Sequence, residues 1–470
     1  MIEVLTSDSR RVAPGAAFFA WPGATADGRR HIAQALERGC AAVLWESEGF
    51  SWDRGWRVPN APVKDLRTQA GLLAHEFYGR PSEAMWVCGV TGTNGKTSCS
   101  QWLAHVFSLQ EIKTAVIGTL GSGFPPQLNA IDNTTPDVLE LHRLLAEFKA
   151  AGARAVAMEV SSHGLDQGRV NGVDFDCALF TNLTHDHLDY HRTMAAYADA
   201  KARLFDAPGL ATAVLNLDDA FGVQLAQRLT ARGVRTIGYG LSVVPVEVSE
   251  FVFAKSIDDK RVAIQSTWGE ACVTISQLGR FNVANTLGVL GCLVAKGIPY
   301  AESVKLLEQL PPVPGRMQKV GDRPLVIVDY AHTPDALDKV LAALRPVAEE
   351  RGGRLVTVFG AGGGRDAAKR PQMGLAASRR ADRIVLTSDN PRSEDPRAII
   401  EAIRGGVTVE CSVEPDRAQA IAAAIGAAAA ADVILIAGKG HERTQEIAGR
   451  RLPFSDAAVA RAALARRGER

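Results

Sequence analysis

The chain has 470 residues, of which 46% are hydrophobic and 22% are charged, and its formal net charge at pH 7 is +1. That length is too great for one ordinary hydrophobic core and predicts about three domains. The near-zero charge gives no reason to expect nucleic acid or an anionic membrane surface as a partner. No apolar run reaches the length of a membrane span, and seven scattered cysteines without a C-x-x-C pair favour a reducing cytoplasm.

The first part of the chain predicts two α/β units. Residues 1 to about 80 hold short apolar runs around a helical pattern at 31–38, and residues 79–82 are typical of a linker. From residue 85 onward, continuous apolar runs alternate with helical stretches, which predicts parallel strands buried on both faces. These strands are predicted at 86–90, 114–118, 155–160, 178–181 and 213–216.

Short antiparallel strands are predicted within 245–278, and the run Pro-Pro-Val-Pro-Gly at 311–315 is a stiff break. A second parallel set is then predicted at 325–329, 354–359, 383–387, 408–411 and 433–437. The predicted fold class is α/β. We expect an N-terminal domain at 1–82, a central nucleotide-binding parallel sheet at 83–314 and a C-terminal doubly wound, Rossmann-like domain at 315–470.

The segment from Gly89 to Ser98 reads Gly-Val-Thr-Gly-Thr-Asn-Gly-Lys-Thr-Ser and joins a predicted strand to a helix start. Its glycines let backbone N–H groups surround phosphate oxygens, Lys96 supplies a charge for the outer phosphates, and the Thr97 hydroxyl suits Mg²⁺. Val90 stands where the general pattern has glycine, so the loop is a variant. The segment predicts use of a nucleoside triphosphate; a glycine-rich turn with an incidental lysine is the alternative.

Carboxylate and imidazole groups follow two more predicted strands. Glu159 ends a buried strand and is a natural Mg²⁺ ligand beside a phosphate loop, although a solvated strand-end glutamate is the alternative. Three histidines and two aspartates lie between His185 and His191, which suits metal binding or proton handling. A zinc site competes with this interpretation, and the lack of a nearby cysteine disfavours it. Lys201 follows on a helical stretch, where a solvated lysine is the default.

Three turns follow predicted strands in the C-terminal part. The glycine-rich turn at 358–366 is similar to a dinucleotide fingerprint, but Arg365 replaces its third glycine and favours an anionic substrate. The other two turns carry Arg392 and Glu442. Together the three charged side chains predict a binding site for a zwitterion at these strand ends.

Eight motifs follow one another along the chain. They are Thr6-Ser-Asp-Ser-Arg10, Gly92-Thr-Asn-Gly-Lys-Thr97, Glu159-Val-Ser-Ser-His-Gly164, Asp186-His-Leu-Asp-Tyr-His191, Gly279-Arg-Phe-Asn282, Val328-Asp-Tyr-Ala-His-Thr-Pro334, Asp389-Asn-Pro-Arg392 and Gly438-Lys-Gly-His-Glu442. In this order they resemble the motifs of the Mur ligases, the ATP-dependent amide ligases that build the peptidoglycan stem peptide. The resemblance extends from about residue 6 to about residue 455, which is nearly the whole chain.

The resemblance implies roles that spacing alone leaves open. The positions implied to bind ATP are Gly92, Thr93, Asn94, Gly95, Lys96, Thr97, Ser98, Asn285, Arg316 and Asp329. Those implied to hold Mg²⁺ are Thr97, Glu159, His187 and Lys201, and those implied to act in catalysis are Lys96, His187, Lys201 and His332. Lys201 is implied to react with CO₂ and form a carbamate, which turns a cation into an anionic ligand for Mg²⁺.

Two organic substrate sites are implied in the same way. The implied UDP-substrate positions are Ser7, Ser9, Asn133, Thr134, Thr135, Ser161, Gln167 and Arg169. The implied amino-acid positions are Arg365, Asp389, Asn390, Pro391, Arg392, Gly438 and Glu442. The Arg392 guanidinium can clamp the distal carboxylate of diaminopimelate and would repel the ammonium of lysine, and family members that take lysine lack this arginine.

The implied reaction adds meso-2,6-diaminopimelate to the D-glutamyl residue of UDP-N-acetylmuramoyl-L-Ala-D-Glu through an acyl phosphate, with ATP, Mg²⁺ and the Lys201 carbamate. We expect a cytoplasmic monomer without membrane insertion. The alternatives are the same ligase acting on L-lysine, a folylpolyglutamate synthase-like ligase, a non-catalytic nucleotide-binding regulator, and a P-loop phosphatase or motor. Relatives often carry a more polar pair at Ala24-Thr25 and a tyrosine at Thr444, so we expect different uridine contacts and a different pocket wall here.

Overall fold

The structure is a computed structural model that describes residues 1–23, 26–243, 245–258 and 260–468. Its strands form three larger sheets and one two-stranded sheet. The predicted α/β class with parallel sheets is therefore confirmed, while the bounds of the three domains stay a prediction. The expectation about Ala24 and Thr25 lies outside the described residues. Among those residues, no helix is both long enough and apolar enough to cross a bilayer.

The N-terminal sheet has four parallel strands in the order β1-β2-β3-β4. Its elements are β1 (Val4–Thr6), β2 (Ala16–Ala20), α1 (Ile32–Glu37), β3 (Ala42–Glu46), β4 (Asn60–Val63) and α2 (Leu66–Phe77). Side chains alternate between the two faces of a strand. Accordingly Phe19 of β2 packs with Ala70 of α2, whereas Phe18 packs with Ala35 of α1. The sheet is thus covered by helices on both faces.

The central sheet has eleven strands. They are β5 (Trp86–Thr91), β6 (Thr114–Gly118), β7 (Gly121–Phe124), β8 (Gln127–Asn129), β9 (Ala155–Glu159), β10 (Cys177–Phe180), β11 (Thr212–Asn216), β12 (Arg235–Gly240), β13 (Glu250–Asp258), β14 (Arg261–Ser266) and β15 (Gly269–Thr274). Their order is β15-β14-β13-β12-β11-β10-β5-β9-β6-β7-β8. The pairs from β6 to β13 are parallel, and both ends of the sheet are antiparallel.

The antiparallel strands predicted within 245–278 extend the central sheet, because β13 pairs in parallel with β12. Strand β5 leads into the glycine-rich segment at 89–98, which we call the phosphate loop. The strand is buried along its whole length and lies between β10 and β9. The helices of this part are α3 (Lys96–Leu109), α4 (Val138–Ala150), α5 (Ser162–Asp166), α6 (Leu188–His191), α7 (Met194–Ala202), α8 (Ala220–Ala231), α9 (Arg280–Ala295) and α10 (Tyr300–Leu307).

The C-terminal sheet has six strands in the order β16-β17-β21-β18-β19-β20, all parallel except the edge strand β16. They are β16 (Gln318–Asp322), β17 (Leu325–Asp329), β18 (Leu355–Phe359), β19 (Arg383–Leu386), β20 (Glu410–Val413) and β21 (Val433–Ala437). The helices are α11 (Pro334–Glu350), α12 (Lys369–Ser378), α13 (Pro396–Arg404), α14 (Arg417–Ala427) and α15 (Asp456–Gly468).

The first three of these helices pack on one face of the sheet, and α14 and α15 pack on the other. That arrangement is a doubly wound domain, in which sites form at the carboxyl ends of the parallel strands. The small sheet β22 (Thr444–Ile447) and β23 (Arg450–Pro453) lies beside the end of β19, because Arg392 bridges to Ile447.

Candidate active site

Loops from the central and C-terminal sheets line one cavity of about 430 Å³, which we call the main cavity. Every loop that follows β5, β9, β10, β17, β18, β19 and β21 contributes to its wall. The predicted residues that line it are Thr93, Asn94, Gly95, Lys96, Thr97, Asn133, Thr134, Glu159, Ser161, Arg169, His187, Arg316, His332, Arg365, Asp389, Asn390, Arg392, Gly438 and Glu442.

The remaining predicted residues lie around this cavity. Ser98, Asn285 and Asp329 line an adjoining cavity of about 400 Å³ that shares Asn94, Gly95 and Arg316 with the main one. Ser7 and Ser9 line a separate cavity of about 620 Å³ in the N-terminal part, and Gln167 lines one of about 710 Å³. The predicted residues that line none of these cavities are Gly92, Thr135, Pro391 and Lys201.

The phosphate loop needs glycine at two places. The backbone has φ +147° at Gly92 and +90° at Gly95, a region that side chains rarely adopt. A Cβ atom at Gly92 would also collide with the Thr181 hydroxyl, and one at Gly95 would lie 2.6 Å from Asn285 Oδ1. Within the loop, Lys96 Nζ donates to the carbonyl oxygens of Gly92 at 2.8 Å and of Thr93 at 2.9 Å. The lysine therefore lies across the loop that it belongs to.

Glu159 is held beside the phosphate loop by two threonines. Its Oε2 accepts hydrogen bonds from the hydroxyls of Thr97 at 2.9 Å and Thr119 at 3.0 Å, and its Oε1 accepts from the Thr119 backbone N–H at 2.8 Å. The glutamate is 1% exposed, so these bonds fix its carboxylate. Sequence reasoning missed Thr119; the signal was available, because Thr119 directly follows the strand predicted at 114–118.

Cationic and imidazole side chains from the central and C-terminal parts surround the buried carboxylate of Asp186. His187 Nε2 and His332 Nε2 lie 3.4 and 3.7 Å from Asp186 Oδ2, and Lys369 Nζ lies 3.7 Å from Asp186 Oδ1. Burial by itself raises the pKa of Asp186, but His332, His187 and Lys369 together hold that pKa well below its ordinary value. Sequence reasoning placed Asp186 in a cluster that suits metal binding or proton handling but gave it no role of its own. It missed Lys369, which carries no motif that could have revealed it.

The surroundings of His187 favour the neutral form of its imidazole. Its backbone is left-handed, with φ +55°, and its N–H donates to the Asp186 carboxylate at 2.9 Å. Burial lowers the pKa of His187, and His163 and Lys96 lower it further, although Asp186 opposes them. A neutral ring nitrogen retains the lone pair that binds a metal ion.

Lys201 lies behind the wall of the main cavity and is 1% exposed. Its Nζ lies 4.4 Å from the ring centroid of Tyr197, whose hydroxyl is 3.1 Å from the Thr93 hydroxyl of the phosphate loop. Burial, with a smaller contribution from Lys96, lowers the pKa of Lys201 well below its ordinary value. These surroundings favour the uncharged amine, which is the form that reacts with CO₂.

Four of the predicted UDP-substrate positions near the central sheet form one hydrogen-bonded group: Thr135, Ser161, Gln167 and Arg169. The Thr135 hydroxyl donates to Glu159 O at 3.0 Å and accepts from the Ser161 N–H at 2.9 Å. Arg169 Nη1 donates to Thr135 O at 2.7 Å, and Arg169 Nε donates to Gln167 Oε1 at 2.9 Å. These contacts connect the group to the Glu159 strand, whereas Ser7 and Ser9 lie apart in the N-terminal cavity.

The predicted amino-acid positions meet at the C-terminal side of the main cavity. Arg392 has φ +55°, and its Nη1 donates to Gly363 O at 2.6 Å, which fixes the guanidinium. Asp389 is 7% exposed, and within the part of the chain that the structure describes its Oδ2 has no hydrogen-bond partner. A Cβ atom at Gly438 would collide with that oxygen. Thr444 is exposed at the start of β22 and does not line the cavity.

Known proteins are similar to this chain over almost its whole length. A UDP-N-acetylmuramoyl-L-alanyl-D-glutamate–2,6-diaminopimelate ligase of Chromobacterium violaceum is 49% identical over 473 residues, which cover 100% of this chain and 95% of the relative. A ligase of the same name from Janthinobacterium sp. is 50% identical over 479 residues and covers 98% and 94% of the two chains. The chain belongs to the Mur ligase family.

Family descriptions and a solved structure agree with this membership. "Mur ligase family, catalytic domain" matches residues 1–78, "Mur ligase middle domain" matches 90–293, and "Mur ligase, glutamate ligase domain" matches 315–440. A solved UDP-N-acetylmuramoyl-L-alanyl-D-glutamate–2,6-diaminopimelate ligase superposes with a TM-score of 0.68 at 36% identity, covering 99% of this chain and 95% of its own. The membership expected from the eight motifs is confirmed.

Proposed function

We propose that this Mur ligase adds meso-2,6-diaminopimelate to the D-glutamyl residue of UDP-N-acetylmuramoyl-L-Ala-D-Glu in peptidoglycan biosynthesis, with conversion of ATP to ADP. The observation that carries the proposal is that the phosphate loop and the Arg392 turn line the same cavity. This arrangement supports the proposal that ATP chemistry and an amino acid with a second carboxylate meet in one place. The names of the two relatives described above support the choice of diaminopimelate.

In the proposed reaction the γ-phosphoryl group of ATP passes to the side-chain carboxylate of the D-glutamyl residue and ADP is released. The resulting acyl phosphate has the leaving group that a carboxylate lacks. An amino group of diaminopimelate then forms the C–N bond through a tetrahedral intermediate, phosphate leaves as the C–O bond breaks, and the attacking nitrogen releases one proton. Lys96 and His332 line the cavity where charge develops on the transferred oxygens and would stabilise it.

We propose that Mg²⁺ binds to Thr97, Glu159, His187 and a carbamate on Lys201. The donor set fits, because the Glu159 carboxylate and the Thr97 hydroxyl that contacts it are oxygen ligands of the kind that Mg²⁺ prefers. When bound, Mg²⁺ would neutralise charge on the phosphate oxygens. The carbamate forms when the Lys201 amine bonds to CO₂ and one proton is released, and the burial of the side chain supports an uncharged amine there.

The remaining features of the proposal concern the whole chain. We propose domain bounds of 1–82, 83–314 and 315–470, and the three larger sheets lie within them. The N-terminal cavity lined by Ser7 and Ser9 would take part of the UDP substrate. We expect a monomer in the cytoplasm with no nucleic-acid partner.

The test is phosphate release with ATP, Mg²⁺ and UDP-N-acetylmuramoyl-L-Ala-D-Glu, in which meso-diaminopimelate is compared with L-lysine. We expect release that depends on diaminopimelate, with little on lysine. A Lys96→Met variant, which keeps the side-chain length and removes the charge, is the matched control and should release almost none. Lysine-dependent release would refute the substrate assignment, and release that needs neither amino acid would indicate a simple P-loop ATPase.

A further inference from the structure

Lys439 contacts the amino-acid side of the main cavity from behind. It lies between Gly438 and Gly440 in the turn after β21, and it is 0% exposed. Its Nζ donates to Asn390 Oδ1 at 2.9 Å and to Glu442 Oε2 at 2.6 Å. Asn390 and Glu442 line the cavity, whereas Lys439 does not. Lys439 therefore contacts this part of the cavity wall through these two side chains and does not itself line the cavity.

The hydrogen bonds of Lys439 determine which atoms of its partners remain for a ligand. Asn390 Oδ1 also accepts from the Glu446 backbone N–H at 3.0 Å, so this oxygen is already used twice. The amide nitrogen of Asn390 donates one of its two N–H groups to Glu442 Oε2 at 2.8 Å, which leaves the second as a donor. Because Oε2 of Glu442 accepts from both neighbours, Oε1 is the carboxylate oxygen left for a cation.

Lys439 also changes the charge of this side of the cavity. Asp389 and Glu442 are acidic, and Arg365 and Arg392 are basic. The Lys439 ammonium offsets the Glu442 carboxylate at 2.6 Å in a buried position, where an uncompensated charge is costly. The distal end of diaminopimelate carries one ammonium and one carboxylate, whereas the side chain of lysine ends in an ammonium alone. A site whose negative charge is partly neutralised favours the end of diaminopimelate, which carries no net charge, over the cationic end of lysine.

We infer that Lys439 is a positioning residue that sets the preference of this site for a zwitterionic end group over a lone ammonium. It does so by orienting the Asn390 amide as a donor and by offsetting the charge of Glu442. The inference rests on the proposed function, because it assumes that the cavity takes an amino acid with such an end group.

The experiment measures kcat and KM for meso-diaminopimelate, L-lysine and ATP in the wild-type enzyme and in Lys439→Met. Methionine has a similar length and supplies neither the charge nor the hydrogen bonds. Lys319→Met is the matched control, because Lys319 lies in β16 of the C-terminal sheet and its side chain is 59% exposed. Lys439→Gln, which supplies an amide N–H donor without the charge, receives the same measurements and is the test variant if the methionine variant does not fold.

We expect KM for diaminopimelate to rise about tenfold or more, since a buried acceptor loses its charged partner, while KM for ATP stays within about twofold. The ratio of kcat/KM for diaminopimelate to that for lysine should fall in both Lys439 variants and not in Lys319→Met. An unchanged ratio, or an equal loss of activity with every substrate, would refute the positioning role. If the wild-type enzyme releases no phosphate with diaminopimelate, the proposed function fails first, so the two failures are distinguishable.

Discussion

Arg316 Nη2 donates a hydrogen bond to the Thr97 hydroxyl at 3.0 Å and thereby joins two residues that are 219 positions apart in the chain. The same hydroxyl donates to Glu159 at 2.9 Å. The Arg316 guanidinium also lies over the Tyr330 ring, 4.4 Å from its centroid. One series of contacts thus connects the start of the C-terminal part to the phosphate loop and to the carboxylate beside it.

Replacement of Arg316 by methionine should weaken ATP binding specifically. The variant loses the hydrogen bond to Thr97 and a positive charge that lines both the main cavity and the adjoining one. Because hydrogen bonds to charged groups are worth more than neutral ones, we expect KM for ATP to rise about tenfold or more. Steady-state kinetics with ATP as the varied substrate measures this KM. Arg404→Met, on an exposed helix position, is the control, and an equal KM for ATP in both variants would contradict the role.

The Lys201→Ala variant should be almost inactive, and its activity should return in part when a short-chain carboxylic acid such as acetate is added. The physical reason is that the carboxylate replaces the anionic group that the carbamate supplies. Phosphate release at increasing acetate concentration measures the effect, with chloride at the same ionic strength as the control. Full activity of the variant without any addition would show that no carbamate is needed.

Arg392→Asn should reduce the preference for diaminopimelate. Asparagine tolerates the left-handed backbone at this position, where φ is +55°, so the fold is retained while the guanidinium is lost. A charged hydrogen-bonding group is worth about tenfold to a hundredfold in kcat/KM, and this loss should apply to diaminopimelate and not to lysine. Competition between the two amino acids measures the ratio. If both lost activity equally, Arg392 would support the turn rather than recognise the distal carboxylate.

His142 should make folding stability depend on pH. The residue is 0% exposed in α4, its Nε2 lies 2.9 Å from Asn171 O, and burial lowers its pKa from 6.5 to about 4. Between pH 6.5 and about pH 4, the unfolded chain therefore binds a proton at His142 that the folded chain does not bind. The stability from the neutral form is fully present above pH 6.5 and is lost as the pH falls toward 4, at up to about 1.4 kcal/mol per pH unit.

The His142→Gln variant replaces the ring nitrogen by an amide N–H that can donate to Asn171 O, and it removes the group that titrates. Urea unfolding at pH 7.0 and pH 5.0 should show a loss of stability on acidification that is about 2 kcal/mol smaller in this variant than in the wild type. His31→Gln, at an exposed position, is the control and should behave as the wild type does. An identical pH dependence in all three proteins would mean that His142 is not the group responsible.

The sequence predicted most strands of the two larger parallel sheets within one or two residues, because strands covered on both faces are continuous apolar runs. It did not predict β7, β8, β12 or β16. Of these, β7 and β12 contain two glycines each and have weak strand patterns of their own. These strands form because neighbouring strands supply hydrogen bonds and a buried face. For the same reason the antiparallel strands near residue 260 could not be assigned to the central sheet before the pairing of β13 with β12 was known.

The sequence by itself determined the glycine-rich loop at 89–98 and the strand-end positions of Glu159 and Arg392. It also determined the membership in the Mur ligase family, because each of the eight motifs consists of residues close together in the chain. Only the tertiary structure decided that Asp186 lies among His187, His332 and Lys369. Such contacts depend on how two sheets, separated by long stretches of chain, meet at the carboxyl ends of their strands. Local patterns fix each strand end, but the approach of one strand end to another is set by packing across the whole molecule.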